Sequence, residues 1–320
     1  MTRPLHPRQA LTDQRGFALV VVVVVLLLVS FLASQLILQV RAEQQVALNA
    51  RHRIAASFLA EAGVNLALFR LLDKPVDENP DFAALRLGLD YETHLHTGTV
   101  SYAAFSESGK IDLNGASAGL LSLFFEYHGM TPEDAAVVTD SLQDWRDPDD
   151  LLRVNGAEKA VYESLPQPYI PRNGTIGEAA EFFLIHGTAK LAGKFAPEEV
   201  FTVHNPQGRI NCNSLTPAML AFLANGEEER IEAYREAQYT YPLLNEALVR
   251  QLLGDARFTA LKPYLDFAAP PAGGYYSITA IGHPAPDEGQ EKSRAGVRVE
   301  VLVQRSNNSY QFLAWREQNV

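Results

Sequence analysis

Arg15-Gly16-Phe17-Ala18-Leu19 opens a run of 24 uncharged residues that extends from Phe17 to Val40. At about 1.5 Å of rise per residue, a helix of this length reaches about 36 Å, enough to cross a hydrocarbon core of about 30 Å with some tilt. Three arginines and one aspartate precede the run, so the positive-inside tendency keeps the N-terminus in the cytoplasm. We therefore expect residues 17–40 to span a membrane and the rest of the chain to be exported.

A secretory signal peptide has a similar basic start, but its apolar region is only about 7 to 15 residues long and ends at a cleavage site. Here Gly16 precedes the apolar run, an order that resembles the type IV prepilin-like leader. The resemblance implies that a prepilin peptidase removes residues 1–16 by cutting between Gly16 and Phe17, and that Phe17 becomes the N-methylated terminus. An ordinary signal-anchor helix with an accidental Gly-Phe pair is the alternative.

Val21 stands at the fifth mature position, where most members of that superfamily carry glutamate. A lone carboxylate inside lipid is costly, and the usual glutamate is thought to be tolerated because it meets the terminal amine of a neighbouring subunit. A subunit with nothing above it does not need that partner. Val21 therefore favours a subunit at the tip of a fibre over a major pilin.

The 320 residues suffice for two or three domains, and their net charge is -11. The leader contributes a net charge of +2, so its removal leaves -13. An acidic chain is a poor candidate for binding nucleic acid, because phosphate contacts are made largely by lysine and arginine. The single cysteine, Cys212, excludes an internal disulfide, and we expect it to be a buried small apolar residue.

Apolar spacing continues beyond Arg41 and predicts one helix from Phe17 to about Leu72, ended by Lys74-Pro75. Strands are predicted at Thr99–Phe105, Tyr275–Ile281, Arg294–Gln304 and Ser309–Trp315. Lys110–Asn114 is predicted to form a strand pair with Thr99–Phe105, and no element is assigned between Asp77 and Gly98.

The residues between these strand groups, 115–265, are predicted to be mainly helical. The predicted helices are Ala118–Tyr127, Pro132–Asp144, Ala157–Glu163, Ile176–Ile185, Pro217–Leu223, Glu227–Ala237 and Leu243–Leu253. Ile111-Asp112-Leu113-Asn114 and Ile210-Asn211-Cys212-Asn213 form a weak repeat, which duplicated helix capping would explain. Two segments are similar to helix-hairpin-helix modules, but the hairpin Tyr127–Asp134 offers acids where a phosphate binder needs cations or bare amides.

The densest polar stretch is Asp144-Trp145-Arg146-Asp147-Pro148-Asp149-Asp150, followed by Asn155-Gly156-Ala157-Glu158. Calcium takes about six to eight oxygen ligands, which carboxylates supply, although the spacing is not that of an EF-hand. A solvated acidic loop that caps a helix starting near Ala157 explains the same residues. The residues alone leave both interpretations open, and they assign no catalytic group.

Taken in order, the motifs resemble the K-type minor pseudopilin of the bacterial type II secretion system, the general secretion pathway protein K family. The residues that carry the resemblance are Arg15-Gly16-Phe17, Gly109–Asn114, Asp144–Asp150, Gly156-Ala157-Glu158, Pro168-Tyr169 and Ile210–Pro217. Each motif is weak alone, whereas their order is specific. Leu113 and Cys212 vary within their motifs.

The resemblance implies an α+β, type IV pilin-like fold: a long N-terminal helix on an antiparallel sheet, with a large SAM-like or helix-hairpin-helix-like insertion. It implies bound calcium, with Asp144, Asp147, Asp149, Asp150 and Glu158 as candidate ligands. The expected domains are the leader (1–16), the transmembrane half-helix (17–40), the periplasmic half-helix with the first strands (41–114), the insertion (115–265) and the last strands (266–320).

The resemblance also implies an inner-membrane, non-enzymatic subunit that caps the pseudopilus with I-type and J-type minor pseudopilins and meets the major pseudopilin. No nucleic-acid partner is expected. Two alternatives stay open. One is a minor pilin of a type IV pilus or a competence pseudopilin, and the other is a membrane-anchored periplasmic metal-dependent hydrolase.

Overall fold

The structure, a computed structural model, describes residues 15–72, 85–271, 273–286, 296–306 and 309–320. The chain forms two compact units, of which the first ends at Ile54 and the second runs from Ala55 to Val320. The predicted leader up to residue 14 and the predicted helix stop at Lys74-Pro75 lie outside the described residues.

One helix, α1, runs Arg15–Leu72, as the apolar spacing predicts. Every side chain from Ala18 to Val40 is exposed to solvent in the isolated chain. A helix satisfies its backbone hydrogen bonds internally, so such a segment is stable where lipid surrounds it. Within the described part of the chain, α1 is the helix that has the length and composition to cross a membrane.

In the second unit, α1 packs on a sheet at unusually short range. A Cβ atom added to Gly63 would lie 2.5 Å from Val100 Cγ2 and 2.9 Å from Ala280 Cβ. One added to Gly282 would lie 2.2 Å from the carbonyl oxygen of Ala56. The two glycines therefore let the helix backbone and the sheet backbone approach each other.

Five strands of the described chain form an antiparallel sheet in the order β1-β2-β7-β8-β9. They are β1 (Asp90–Leu95), β2 (Gly98–Ser106), β7 (Gly274–Pro284), β8 (Val297–Ser306) and β9 (Ser309–Asn319). Val297, Val299, Val301 and Val303 are buried in the cluster that includes α1, which confirms the predicted alternation. Together with the helical region described below, this confirms the predicted fold class.

The predicted pairing of Lys110–Asn114 with the strand Thr99–Phe105 is wrong. The neighbours of β2 are β1, in a region to which the sequence assigned no element, and β7. The chain leaves the sheet through a 3₁₀ turn, Glu107–Gly109, and the backbone N–H of Ser106 donates to Ser214 Oγ. The next strand, β3 (Ile111–Asp112), pairs in parallel with β4 (Phe201–Thr202).

The helical region departs from one end of the sheet and returns to it. Ser106, the last residue of β2, pairs with Tyr276 near the start of β7. At this end Arg305, the partner of Gly274, donates to the carbonyl of Leu71 at 3.0 Å. The region is therefore attached at the end of the sheet beside the C-terminus of α1.

The helical region contains α2 (Ala118–Tyr127), α3 (Pro132–Arg146), α4 (Lys159–Glu163), α5 (Pro197–Val200), α6 (Pro217–Leu223), α7 (Glu228–Thr240), α8 (Glu246–Leu253) and α9 (Asp255–Leu261). The predicted helix Ile176–Ile185 is wrong, because only a 3₁₀ turn forms there, at Ala179–Leu184. The Glu181 carboxylate accepts from the N–H of Gly177, while the N–H of Ile176 is held by Asn114. Helices α5 and α9 were not predicted.

The weak sequence repeat corresponds to a repeated structure. In the first repeat (111–202), the N–H of Leu113 donates to Thr202 O at 2.9 Å, beyond the β3–β4 bridge. In the second repeat (210–266), the N–H of Cys212 donates to Asp266 O at 2.9 Å, beyond the bridge between β5 (Ile210–Asn211) and β6 (Leu265–Asp266). The similarity therefore extends beyond helix capping to paired strands.

The asparagine at the end of each motif makes the same pair of bonds. Asn114 exchanges two hydrogen bonds with the backbone of Ile176, at 2.8 and 3.1 Å. Asn213 does the same with the backbone of Leu244, at 2.7 and 3.2 Å. The helical region is thus built from two structural repeats that share one buried apolar cluster.

Candidate functional site

The candidate site is the turn that follows α3, here called the acidic turn (residues 144–158). α3 runs two residues beyond its predicted end, so Asp144 lies in its last turn with a side chain that is 0% exposed. Arg153 returns to it, and its Nη1 atom lies 2.6 Å from Asp144 Oδ1 and 2.5 Å from Asp147 Oδ2. Both carboxylates accept hydrogen bonds from the guanidinium, which raises the pKa of Arg153.

The backbone of the acidic turn is closely fitted to Asp144. A Cβ atom added to Gly156 would lie 1.9 Å from Asp144 Oδ2, so a larger residue does not fit without movement. The N–H of Arg153 donates to the same oxygen at 3.3 Å. Asn155 donates to Asp140 Oδ2 from both its backbone and its side chain, at 3.1 Å each. The turn is therefore held at several points.

Asp149 and Asp150 face solvent and organise the outer part of the turn. Asp149 Oδ1 accepts from the N–H of Leu151 at 2.8 Å, and Asp150 Oδ1 accepts from Asn173 Nδ2 at 2.9 Å. Neither bond reaches α4, and no side chain in the described residues caps that helix, whose N-cap residue is Glu158. The helix-capping interpretation of the acidic run is wrong.

Glu158 is the least satisfied group of the site. It is 7% exposed, and neither of its carboxylate oxygens has a hydrogen-bond partner among the residues that the structure describes. Burial raises the pKa of Glu158 most, and the charges of Asp144 and Asp147 raise it further. Asp147 Oδ1 also lacks a partner within the described ranges. Three buried carboxylate oxygens of the acidic turn are therefore without a hydrogen-bond partner in the described part of the chain.

The donor chemistry of the acidic turn fits a hard cation, because unpartnered carboxylate oxygens are the ligands that calcium prefers. In this structure the Arg153 guanidinium occupies the space between Asp144 and Asp147. In the part of the chain that the structure describes, no three histidine, cysteine, aspartate or glutamate side chains converge to hold a metal. Asp144 and Asp147 share Arg153 and their charges act on Glu158, whereas Asp149 and Asp150 accept hydrogen bonds from Leu151 and Asn173. The calcium assignment stays a prediction.

Arg153 was not among the predicted site residues, although it stands between the aspartate run and Glu158. A cleft of about 610 Å³ between the outer face of the sheet and the helical region was not predicted either. The ion pair of Arg316 (β9) with Glu198 (α5) lies at the cleft. A second, buried ion pair also lines the cleft, with Lys110 Nζ 2.6 Å from Glu107 Oε1. No sequence signal marks the cleft, because elements far apart in the chain form it.

The predicted cleavage site lies at the start of α1. Gly16 and Phe17 follow Arg15, the first described residue, within the helix. Val21 is exposed on the same helix. Cleavage and N-methylation stay predictions.

Comparison with known proteins gives three findings. Residues 106–194 match the family model described as Type II secretion system (T2SS), protein K. Type II secretion system protein K of Aeromonas hydrophila is 33% identical over 92 residues, which span 28% of this chain and 28% of that relative. The chain thus matches well under a third of the relative's length, although the matched family region contains the whole acidic turn.

The third finding is a crystal structure titled as the GspK-GspI-GspJ complex of the enterotoxigenic Escherichia coli type 2 secretion system. One of its chains aligns with 88% of this chain and 99% of its own length, at 15% identity and a TM-score of 0.49. At that score the likeness carries no argument about fold or function. The family-model match covers four motifs of the resemblance, which are Gly109–Asn114, Asp144–Asp150, Gly156-Ala157-Glu158 and Pro168-Tyr169. Over residues 106–194 the chain is therefore similar to the type II secretion system protein K family.

Proposed function

We propose that the chain is a non-enzymatic assembly subunit, the minor pseudopilin that caps the tip of the type II secretion pseudopilus and helps to start its assembly. The proposal rests on the position of the helical region, which is attached to the end of the sheet beside the C-terminus of α1. It leaves the sheet at Ser106, beside the end of α1 marked by the bond from Arg305 to Leu71. A further subunit stacked on this end of the head would meet the helical region, which therefore acts as a stop.

A deletion strain tests the capping role. Without the protein, we expect secretion to fall and the pseudopili that still form to be fewer and longer, because neither an initiator nor a stop is present. Complementation with the unaltered chain should restore both readouts. Normal secretion with pseudopili of normal length and number would refute the proposal.

We place α1 in the inner membrane, with the N-terminus cytoplasmic and the head in the periplasm. Its length and exposed apolar surface support this, and its apolar face is also suited to packing against sister helices. Prepilin peptidase would cut between Gly16 and Phe17. Mass spectrometry of the purified chain should then find N-methylated Phe17 as its first residue, and Gly16→Leu should retain the leader.

The proposed partners are the I-type and J-type minor pseudopilins at the tip and the major pseudopilin below it. The similarity of residues 106–194 to type II secretion system protein K supports them. Co-purification of the full chain with tagged candidate partners from detergent-solubilised membranes tests the tip complex. Gene neighbours distinguish this role from that of a type IV pilus or competence subunit, since a secretion operon encodes a secretin and the other pseudopilins.

We also propose that the acidic turn binds calcium through Asp144, Asp147 and Glu158, with Asp149 and Asp150 as further candidate ligands. Arg153 would compete with the ion for the first two carboxylates. A ligand that binds only the folded state stabilises it, so calcium should raise the melting temperature more than magnesium does. Glu158→Gln should abolish this shift, whereas Glu163→Gln, on the exposed face of α4, should leave it intact.

The hydrolase alternative makes a different prediction. It requires metal-dependent turnover that Asp147→Ala abolishes, whereas an assembly subunit shows no turnover in either form. Asp147 shares Arg153 with Asp144, an arrangement that supports a structural role for the site.

A further inference from the structure

The acidic turn presents large apolar side chains directly to solvent. Val154 is 96% exposed, Leu151 75% and Leu152 61%. Single exposed apolar residues are common on protein surfaces, but three within four consecutive residues form a patch, and such patches mark interaction sites. We call residues 151–154 the apolar loop.

Polar contacts on both sides hold the apolar loop in place. The N–H of Leu151 is bound by Asp149, and Arg153 reaches inward to Asp144 and Asp147 while its two neighbours point outward. Asn155, the residue that follows the loop, donates its backbone N–H to Asp140. A loop held in this way loses little conformational freedom when it is covered, which favours binding.

The surroundings of the apolar loop are acidic. From Asp144 to Glu158 the sequence has five acids and two arginines, a net charge of -3. Both arginines are engaged, Arg153 as described and Arg146 with the carbonyls of Leu113 and Ala116 at 2.8 and 3.2 Å. Glu158 is more than nine-tenths buried, and its oxygens have no hydrogen-bond partner in the described residues. The field around the loop therefore attracts positive charge.

We propose that the apolar loop is a docking surface for a protein segment that presents apolar side chains flanked by lysine or arginine. The apolar residues of the partner would cover Leu151, Leu152 and Val154, and its cations would lie near Asp149 and Asp150. An anionic lipid surface is disfavoured, because it would bring like charges together. The inference does not depend on a place at the tip of a fibre.

The test uses the full chain in nanodiscs of zwitterionic lipid, with calcium removed by a chelator so that no ion occupies the same carboxylates, and with empty nanodiscs as background. The probes are a fluorescent peptide of leucine and lysine, the same peptide with glutamate in place of lysine, and vesicles with and without anionic lipid. We expect the lysine peptide to bind by fluorescence anisotropy and the glutamate peptide to bind at least about tenfold more weakly.

Two variants and a control locate the binding. Leu151→Ser, Leu152→Ser and Val154→Ser together should weaken binding of the lysine peptide about tenfold or more. The matched control, Tyr241→Ser with Leu243→Ser, removes exposed apolar side chains elsewhere and should change nothing. Asp149→Asn with Asp150→Asn should also weaken binding, because the amide oxygens can still accept the bonds that hold the loop while the charges are lost.

This double variant keeps the proposal testable if the triple variant fails to fold. Equal binding of the two peptides would overturn the proposal, as would unchanged affinity of the folded triple variant. Binding of the loop to anionic vesicles in place of the peptide would assign the surface to lipid and would also overturn it.

Discussion

The two repeats of the helical region share a backbone arrangement and differ in the polar residue at its centre. In the first repeat, Asp112 accepts hydrogen bonds at 2.8 Å from the backbone N–H groups of Asn114, Gly115 and Asn205. In the second, Asn211 accepts from the N–H of Asn213 and donates its amide to Asp266 and Ala268. The same turn is therefore fixed by a buried carboxylate in one repeat and by a neutral amide in the other.

The different central residues give the two repeats different electrostatic surroundings. Burial raises the pKa of Asp112, and its backbone donors act in the opposite direction. The nearby Arg146 bonds to the carbonyls of Leu113 and Ala116, so charge of both signs is already present in the first repeat. This repeat also carries the acidic turn. The second repeat has the neutral amide, and we assign no candidate site to it.

The largest expected effect concerns the fully buried residue after the central one, which is Leu113 in the first repeat and Cys212 in the second. Leu113→Ala removes more buried apolar volume and should destabilise the chain by about 2–5 kcal/mol. Cys212→Ala should cost only about 1 kcal/mol. Denaturant unfolding in detergent, followed by near-ultraviolet circular dichroism, measures both. Equal costs would show that the two positions are not packed in related ways.

The second largest loss of stability is expected when the central residues Asp112 and Asn211 are each replaced by the residue of the other repeat. Asn211→Asp would set a second carboxylate against Asp266 Oδ2, now 3.1 Å from the Asn211 amide, and should cost about 3 kcal/mol near neutral pH. The cost should shrink at acidic pH, where protonation removes the like charge. Asp112→Asn is the reciprocal control. It turns an amide donor toward the N–H of Asn205, so its cost should persist at both pH values.

The terminal asparagines test whether the repeats are equivalent. Asn114→Ala and Asn213→Ala each leave a backbone N–H without its acceptor, that of Ile176 or that of Leu244. Each should cost about 1–3 kcal/mol, and the two costs should agree. Hydrogen exchange at Ile176 and Leu244 provides a local readout. A large cost at only one site would break the structural analogy.

The smallest effect has the opposite sign. Glu158→Gln removes a buried charge and should stabilise the chain by about 1 kcal/mol near neutral pH with chelator present. Because the folded-state pKa of Glu158 is raised above 4.5, the native state binds this proton more tightly than the unfolded state does. Stability of the unaltered chain should therefore rise as pH falls through the window between that raised pKa and 4.5.

Thermal unfolding of the two proteins across that window checks the sign. The Glu158→Gln variant should lack this part of the pH dependence. Glu163→Gln, at an exposed position of α4, should retain it. A destabilised Glu158→Gln variant would show that the carboxylate has a favourable partner in solution.

Local patterns predicted most of the individual elements. The apolar spacing predicted α1, and alternating valines predicted β8, because each depends on neighbouring residues alone. Helix Ala118–Tyr127 was predicted with its observed bounds, between the N-cap Ser117 and the hairpin glycine Gly129. In the candidate site, the spacing identified the acids but not the arginine that joins them.

The wrong predictions share a cause. Pairing of β2 with the segment after it was the shortest connection, but Ser214 holds the backbone at Ser106, and β7 takes the place beside β2. Residues 176–185 had a helical pattern, yet the Asn114 amide donates to the carbonyl of Ile176, which a helix starting there would use as an acceptor. In both cases a residue far along the chain supplied a hydrogen bond that the local pattern did not include.

The sequence by itself determined the membrane-length helix, the valine in place of glutamate, four of the five strands of the sheet and the acidic run. Each depends on composition or on spacing within a few turns. The tertiary structure decided which strands pair, that the two short motifs belong to related units, and that Arg153 lies between Asp144 and Asp147. These features depend on contacts between distant segments, which form only when the buried apolar clusters bring those segments together.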